Sequence, residues 1–210
     1  MEPAIKWLGS EDKAKIINAV PLEHQPVFWW LKYHLRRPGE AMALRKEDFD
    51  GEIFTVRRGV SAKTLTDRTK TGEVHFVPAV ADFLPYIKVE NDKQQAAGIL
   101  SPFMFVYPAG KMEGKRYTHT TLDSLWHAAC EKVGIQIDLY SGLKHSTASQ
   151  IINEDGYSIH DVQTAGDWAR LESVRKYAKT ETGRVRQLLE RKIVRLGTNS
   201  ARNHQEKRKK

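Results

Sequence analysis

Hydrophobic residues recur at helical spacing through the first 45 positions of the chain. Ser10 is a suitable N-cap for a helix over 11–20, and a second apolar stripe predicts a helix over 24–35. Pro38 disfavours helical geometry at Arg37 and can itself open a third, short helix. The pattern therefore predicts that Arg37 lies at a junction between two helices, where its side chain can be directed at a ligand.

The middle of the chain changes to shorter, strand-like runs. An Asp-Gly pair at 50–51 separates runs over 46–49 and 52–58, which is typical of a hairpin. Loop residues follow from 59 to 69, and 72–79 is predicted to form a third strand, with Lys70 at the turn that enters it. These runs predict a small three-stranded antiparallel sheet.

Helical spacing returns after the sheet and continues toward the C-terminus. The predicted helices lie at about 79–88, from a Thr120–Asp123 capping box to Gly134, at about 143–154, from Ser158 onward, around Val174 and Tyr177, and over 184–196. The predicted fold class is therefore α+β and mainly α, a helical domain with a small three-stranded antiparallel sheet. The expected organisation is one domain over 1–197 and a basic, disordered tail over 198–210.

The composition narrows the class of protein. Hydrophobic residues make up 40% of the 210 positions, which is enough to bury a core. No apolar run reaches the ~18 residues of a membrane helix, and the N-terminus lacks the pattern of a secretory signal. The single cysteine, Cys130, excludes intrachain disulfides and multi-cysteine metal sites. We expect a cytoplasmic protein without a membrane partner.

The positive charge is concentrated at the C-terminus. The chain has 34 Lys and Arg against 26 Asp and Glu, for a net charge of +8. Ten of the basic residues and only two of the acidic ones fall within 184–210, so the rest of the chain is neutral in sum. This segment is able to attract phosphates or to dock on a partner protein.

Three segments carry a recognisable set of motifs. They are LRRPGEAMALRKEDFD at 35–50, RTKTGEVHFVPA at 68–79 and AGDWARLESVRKYAK at 165–179. In this order they resemble the arginine motif, the lysine-bearing β-hairpin and the C-terminal tyrosine box of the tyrosine recombinases, the phage-integrase family. The resemblance covers most of residues 5–180 and agrees with the predicted fold.

The resemblance implies a catalytic domain that cuts and rejoins DNA through a covalent 3′-phosphotyrosine, without a metal or another cofactor. It makes Tyr177 the nucleophile, Arg37 a phosphate-binding arginine, Lys70 the general acid and Trp168 a donor to a non-bridging oxygen. These residue types suit the chemistry, since a guanidinium can contact two phosphate oxygens and a lysine of lowered pKa can protonate the leaving oxygen. Glu40 and Asp48 are expected to orient Arg37 or to cap the hairpin.

One motif departs from the family. Its usual His-x-x-Arg-His reads Ser141-Gly142-Leu143-Lys144-His145 in this chain. Lys144 keeps the positive charge but lacks the planar fork of arginine, and serine cannot act as a base at neutral pH. Lys144 and His145 complete the predicted site, and the substitutions leave the activity open.

Three functions follow from the motifs. The first is a site-specific recombinase or integrase, the second a degenerate relative that binds DNA without cleaving it, and the third a type IB topoisomerase-like enzyme that relaxes DNA. In each case the expected partner is double-stranded DNA, with a monomer in solution and, for a recombinase, a homotetramer on DNA. A bacterial or phage origin and association with the nucleoid are expected. The apolar stripe of 184–196 is expected to pack on a neighbouring subunit.

Overall fold

The structure, a computed structural model, describes residues 7–178. Its α-helices are α1 (Ser10–Ala19), α2 (Gln25–His34), α3 (Pro38–Ala43), α4 (Leu84–Ala96), α5 (His119–Val133), α6 (Ser146–Asn153), α7 (Ile159–Gly166) and α8 (Glu172–Arg175). The strands are β1 (Ile53–Val56), β2 (Gly59–Ser61), β3 (Thr64–Thr66) and β4 (His75–Pro78). A π-helix over Ser141–His145 precedes α6, and 3₁₀ turns cover Leu22–His24, Lys46–Asp48, Ala81–Phe83 and Gly110–Met112. The mainly helical α+β class is confirmed.

Helix α2 lies in the core because six consecutive residues, from Pro26 to Leu31, are apolar and buried. Trp30 is fully buried, edge-on to Phe54 of β1 and tilted against Phe105, while Phe28 stacks on Trp126 of α5. Helix α2 ends at His34, and Leu35, which follows it, has a left-handed backbone. The chain therefore turns sharply just before Arg37.

Local capping sets the helix boundaries around the site. Arg37 has the extended backbone expected before a proline, and its N–H donates to the Glu40 carboxylate at 2.9 Å, which starts α3. Ser158 and Asp161 form the predicted capping box of α7. Helix α5 ends at Gly134, as predicted, but it is capped by Thr118 and not by a box at 120–123.

The prediction of a single three-stranded sheet is wrong. Strands β1 and β4 form one antiparallel pair, with Phe54 opposite Val77, and β2 and β3 form a second hairpin within the segment predicted as loop. The run at 46–49 is a 3₁₀ turn because the Asp48 carboxylate accepts the Arg45 N–H at 2.8 Å. Only the bridge between Phe49 and Phe54 remains of the predicted first hairpin. Asp48 also binds Arg57 and Arg58.

Three helix predictions differ from the structure in extent. The helix at 79–88 is α4, which runs from 84 to 96 after a 3₁₀ turn, and the helix at 143–154 divides into the π-helix and α6. Helix α8 ends at Arg175, so Tyr177 follows it. The predicted helix over 184–196 and the tail over 198–210 lie outside the described residues.

Candidate active site

Arg37 lies at the N-terminus of α3 and faces a cavity of about 1000 Å³. Its Nη1 donates to Glu40 Oε1 at 2.9 Å, and the Tyr140 hydroxyl is near enough to the guanidinium to stabilise its charge. Burial opposes the charge of the guanidinium, but Glu40 and Tyr140 together raise the pKa of Arg37 above its usual value. The expectation that Glu40 orients Arg37 is confirmed.

Glu40 is the buried centre of the charged part of the site, with 3% of its surface exposed. Burial alone would raise its pKa, but Lys144 and Arg37 hold the pKa of the carboxyl below its usual value. Arg37 and Lys144 therefore both lie near enough to Glu40 for their charges to act on this one carboxylate.

Lys144 extends from the π-helix into the protein and is only 1% exposed. Its Nζ donates to the Gly166 carbonyl at 2.8 Å and lies 4.3 Å from the centre of the Trp168 ring. Burial lowers the pKa of Lys144 to about 7, and the neighbouring Arg37 adds to this effect while Glu40 opposes it. Near neutral pH the charged and neutral forms of Lys144 are therefore both populated.

The π-helix that carries Lys144 requires a glycine. A Cβ on Gly142 would lie 2.4 Å from the Trp126 ring, so this turn can pack on α5 only without a side chain. Short π-helical turns occur frequently at functional sites, and the extra residue in this turn changes the direction of the side chains that follow.

Aromatic rings surround the predicted nucleophile. The Tyr177 ring centre is 5.8 Å from that of Trp168 and 5.0 Å from that of His145, and the His145 ring is 4.3 Å from Tyr140. Burial lowers the pKa of His145 to about 4, with a further contribution from Lys176, so the imidazole is neutral at pH 7.

The Tyr177 hydroxyl is buried and has no hydrogen-bond partner within residues 7–178. The residue is 2% exposed, and burial raises the pKa of its phenol further above the usual value, although Arg37 acts in the opposite direction. An unpartnered buried hydroxyl typically costs about 1–3 kcal/mol. The described arrangement therefore does not stabilise this hydroxyl.

Gly166 determines the position of Trp168. A Cβ on Gly166 would lie 1.8 Å from the Trp168 ring, so the indole can lie against α7 only because this residue has no side chain. The backbone N–H of Trp168 donates to the backbone carbonyl of Gln163 at 3.1 Å, and the side-chain amide of Gln163 donates to the backbone carbonyl of Trp168. The indole is thereby held between Lys144 and Tyr177.

Lys70 is exposed and lies on the loop between β3 and β4, where it lines the same cavity as Arg37. Glu40 and Tyr140 also line this cavity, whereas Lys144, Trp168 and Tyr177 do not. The structure thus divides the six predicted residues. Arg37 and Lys70 face the cavity. Of the other four, Lys144, Trp168 and Tyr177 are buried and His145 is half-buried beside Tyr140.

Several residues of the site were not predicted from the sequence. Tyr140 links Arg37 to His145, and no residue pattern marks it. One wall of the cavity is formed by His119, Asp123 and His127 of α5. Their spacing of four residues places them on one helix face, and this spacing in the sequence could have indicated that they share a surface.

Residues 7–178 contain no metal-ligand cluster and no membrane-spanning helix. No group of three His, Cys, Asp or Glu side chains in this part of the chain is arranged to hold a metal ion. No helix within the same range combines the length and apolar character needed to span a bilayer.

Comparison with known proteins identifies the class to which this fold and site belong. The family model described as "Phage integrase family" matches residues 6–184, and the chain therefore belongs to the phage integrase family. The resemblance carried by the three motifs is confirmed. No curated protein matches the chain.

Solved recombinase structures share the fold. The XerA recombinase is 18% identical, with a TM-score of 0.68 over 91% of this chain and 65% of that one. The Tn1549 transposon integrase, solved with a circular intermediate DNA, is 14% identical, with a TM-score of 0.72 over 91% of this chain and 67% of that one. A lambda integrase tetramer bound to a Holliday junction is 13% identical, with a TM-score of 0.60 over 85% of this chain and 49% of that one. This chain thus spans about half to two thirds of these proteins.

Proposed function

We propose that this chain is the catalytic domain of a site-specific DNA recombinase or integrase, which cleaves and rejoins double-stranded DNA through a covalent 3′-phosphotyrosine at Tyr177. The domain so defined covers residues 1–197, followed by the basic tail over 198–210. The observation that carries the proposal is the convergence of three separate motifs. Arg37, Lys144 and the aromatic cluster around Tyr177 come from distant parts of the chain and meet around Glu40 and Tyr140.

In the proposed reaction the scissile phosphate binds in the cavity against Arg37. The guanidinium is already oriented by Glu40, so its charge is in place before the phosphorane forms. Lys70, on the exposed loop of the same cavity, is able to approach the leaving 5′-oxygen. Lys144 adds positive charge beside Arg37 and supports the face of Trp168.

The Tyr177 oxygen bonds to phosphorus and its proton passes to a solvent water. The bond from phosphorus to the 5′-oxygen breaks, and Lys70 supplies the proton that this oxygen needs. Trp168, which can only donate, contacts a non-bridging oxygen. Rejoining reverses these steps with the 5′-hydroxyl of the incoming strand.

The proposal requires Tyr177 to turn toward the cavity when DNA binds. Its hydroxyl has no hydrogen bond to lose within the described residues, so leaving the aromatic cluster costs packing but no polar partner. The burial that raises its pKa is relieved at the same step, close to the positive charge of Arg37. Binding and activation of the nucleophile are thus coupled.

The same chemistry suits a protein that is a monomer in solution and a homotetramer on DNA. Its proposed place of action is the nucleoid, in the cytoplasm of a bacterium or a phage-infected cell. Sedimentation of the chain with and without duplex DNA measures this assembly.

A nicked suicide duplex tests the function. In such a substrate the short strand released by cleavage diffuses away, so the covalent protein–DNA product accumulates and shifts in a denaturing gel. A pool of duplexes with randomised sequence around the nick avoids assuming a target site. We expect an adduct with the natural chain and none with Tyr177→Phe. Strand transfer to a second duplex then distinguishes a recombinase from a topoisomerase-like enzyme.

A second candidate is a module that binds DNA without cleaving it. Ser141 and Lys144 stand where the family has histidine and arginine, and the Tyr177 hydroxyl is buried, which favour this alternative. It predicts DNA affinity without any adduct in the suicide assay.

A further inference from the structure

A polar network of two buried residues and one half-buried residue lies beside the proposed site, and no step of the proposed reaction uses it. It consists of Arg36, Asp167 and His75, which come from three separate motifs. Each member is a near neighbour in the chain of a residue in the site. Arg36 precedes Arg37, Asp167 precedes Trp168, and His75 follows the loop that carries Lys70.

Arg36 is directed inward, away from the cavity that Arg37 faces. Its Nη1 forms an ion pair with Asp167 Oδ2, its Nη2 donates to the Ala165 carbonyl at 2.6 Å, and its Nε donates to the His34 carbonyl at 3.0 Å. All three nitrogens of the guanidinium are thus occupied by the protein. Arg36 holds the 165–167 segment and is not available to bind phosphate.

His75 joins this ion pair to the lysine loop. Its Nδ1 lies 3.1 Å from Asp167 Oδ1, and its Nε2 lies 3.2 Å from the Thr71 hydroxyl. A carboxylate paired with arginine only accepts, so we infer that His75 carries its proton on Nδ1. Its Nε2 then accepts from the Thr71 hydroxyl when the ring is neutral.

The two threonines that flank Lys70 are held in place. Thr71 is bound to His75, and the buried Thr69 donates to the Glu73 carbonyl at 2.7 Å. The two hydroxyl oxygens lie 3.2 Å apart. Lys70 itself is exposed between these fixed neighbours, so the network determines where its backbone lies.

The backbone at Asp167 is a second, independent observation. Its φ of 50° and ψ of 52° place it in the left-handed region, which favours glycine, at the C-terminus of α7. An aspartate occupies this position, and both oxygens of its carboxylate are used, one by Arg36 and one by His75. The side chain thus has a role that glycine could not fill.

We propose that His75 and Asp167 are positioning residues that connect the loop of Lys70 to the segment of Trp168, so that the general acid is placed relative to the rest of the site. This inference rests on the proposed function, in which Lys70 protonates the leaving oxygen. If the network is lost, we expect Lys70 to be displaced while Arg37 and Tyr177 remain in place.

The leaving group of the DNA provides a selective test. When sulfur replaces the bridging 5′-oxygen, the leaving thiolate is far less basic than an alkoxide and departs without an acid, since a thiol has a pKa near 8.5. We expect His75→Phe to slow cleavage of ordinary suicide DNA by ~10²-fold, the typical cost of misplacing a reacting group. With the sulfur-bridged DNA it should cleave close to the rate of the natural chain, as should Lys70→Ala.

His34→Gln is the matched control. His34 is also a buried histidine held by hydrogen bonds, but it contacts α2 and Val80, not the lysine loop. This variant is expected to lose stability without changing the ratio of the rates on the two substrates. If His75→Phe slows cleavage of both substrates equally, the network does not act through Lys70 and the proposal is overturned.

A measurement without catalysis separates this inference from the proposed function. Asp167→Asn keeps the size and the left-handed tolerance of the residue but removes its charge. Amide hydrogen exchange across 69–75 should then accelerate in the free protein, although these residues are far from position 167 in sequence. Unchanged exchange refutes the coupling, whereas failure of the natural chain to cleave either DNA refutes only the proposed function.

Discussion

The ammonium group of Lys144 lies 4.3 Å from the centre of the Trp168 ring while it donates a hydrogen bond to the Gly166 carbonyl. This contact joins the altered motif at 141–145 to the C-terminal tyrosine box. The ammonium group of Lys144 lies over one face of the indole, and the Tyr177 ring packs against the same indole. Lys144, which stands where the family has arginine, therefore contacts Trp168 as well as adding charge to the site.

The first prediction concerns the pH dependence of cleavage. Burial lowers the pKa of Lys144 to about 7, so its positive charge is lost as the pH rises through this value in the free protein. We expect kcat/KM for covalent adduct formation to fall above about pH 7. Lys144→Arg should remove that decline, because a guanidinium stays charged, and the rate at pH 8 should equal or exceed that of the natural chain. An identical decline in the variant would contradict this assignment.

The same group has a measurable effect on folding. The pKa of Lys144 is lower in the folded chain than in the unfolded one, so unfolding takes up a proton between about pH 7 and 10.5. The contribution of Lys144 to the free energy of unfolding therefore becomes more favourable as the pH rises through this window. Lys144→Met, which is neutral at every pH, should show a smaller increase in stability with pH when both chains are unfolded in urea.

The second prediction concerns the nucleophile. Tyr177→Phe should abolish the covalent adduct, since the attacking oxygen is gone, while DNA affinity stays nearly unchanged. Because the hydroxyl is buried without a partner in the described part of the chain, we also expect stability to rise by about 1 kcal/mol. Chemical denaturation and a filter-binding titration measure the two effects. A loss of stability would mean that the hydroxyl has a partner in solution.

The third prediction concerns the packing of Trp168. Gly166→Ala should displace the indole, because the new Cβ would lie 1.8 Å from its ring. We expect a loss of about 1–3 kcal/mol in stability, as for other overpacked cores, together with loss of cleavage. Gly59→Ala is the control for stability, since its Cβ would make only an ordinary contact at 3.5 Å. Equal destabilisation by both variants would show that Trp168 adapts without strain.

The fourth prediction concerns the basic C-terminus. Ending the chain after Leu196 removes five positive charges and one acid, while residues 1–183 have no net charge. If the tail contacts phosphates, the slope of log Kd against log salt should become shallower, because fewer counterions are released on binding. Titrations at several salt concentrations measure the slope. An unchanged slope would indicate that the tail serves contacts between proteins.

Local sequence determined much of the helical framework. Proline at 38, the Ser158–Asp161 box and Gly134 act on the residues beside them, so the helix ends they set could be predicted from the sequence. The family was also predictable, because its motifs combine local turns with fixed spacing. The order and spacing of the six candidate site residues could likewise be predicted from these motifs.

Pairing and burial were decided by the tertiary structure. The run at 46–49 has the pattern of a strand, but the Asp48 carboxylate caps it into a 3₁₀ turn and also binds Arg57 and Arg58, about ten residues away. The lowered pKa of Lys144, the buried Tyr177 hydroxyl and the link from His75 to Asp167 each depend on residues far apart in sequence. Sequence patterns report each residue's own preferences and those of its near neighbours, whereas desolvation and long-range hydrogen bonds arise only when separate segments pack together.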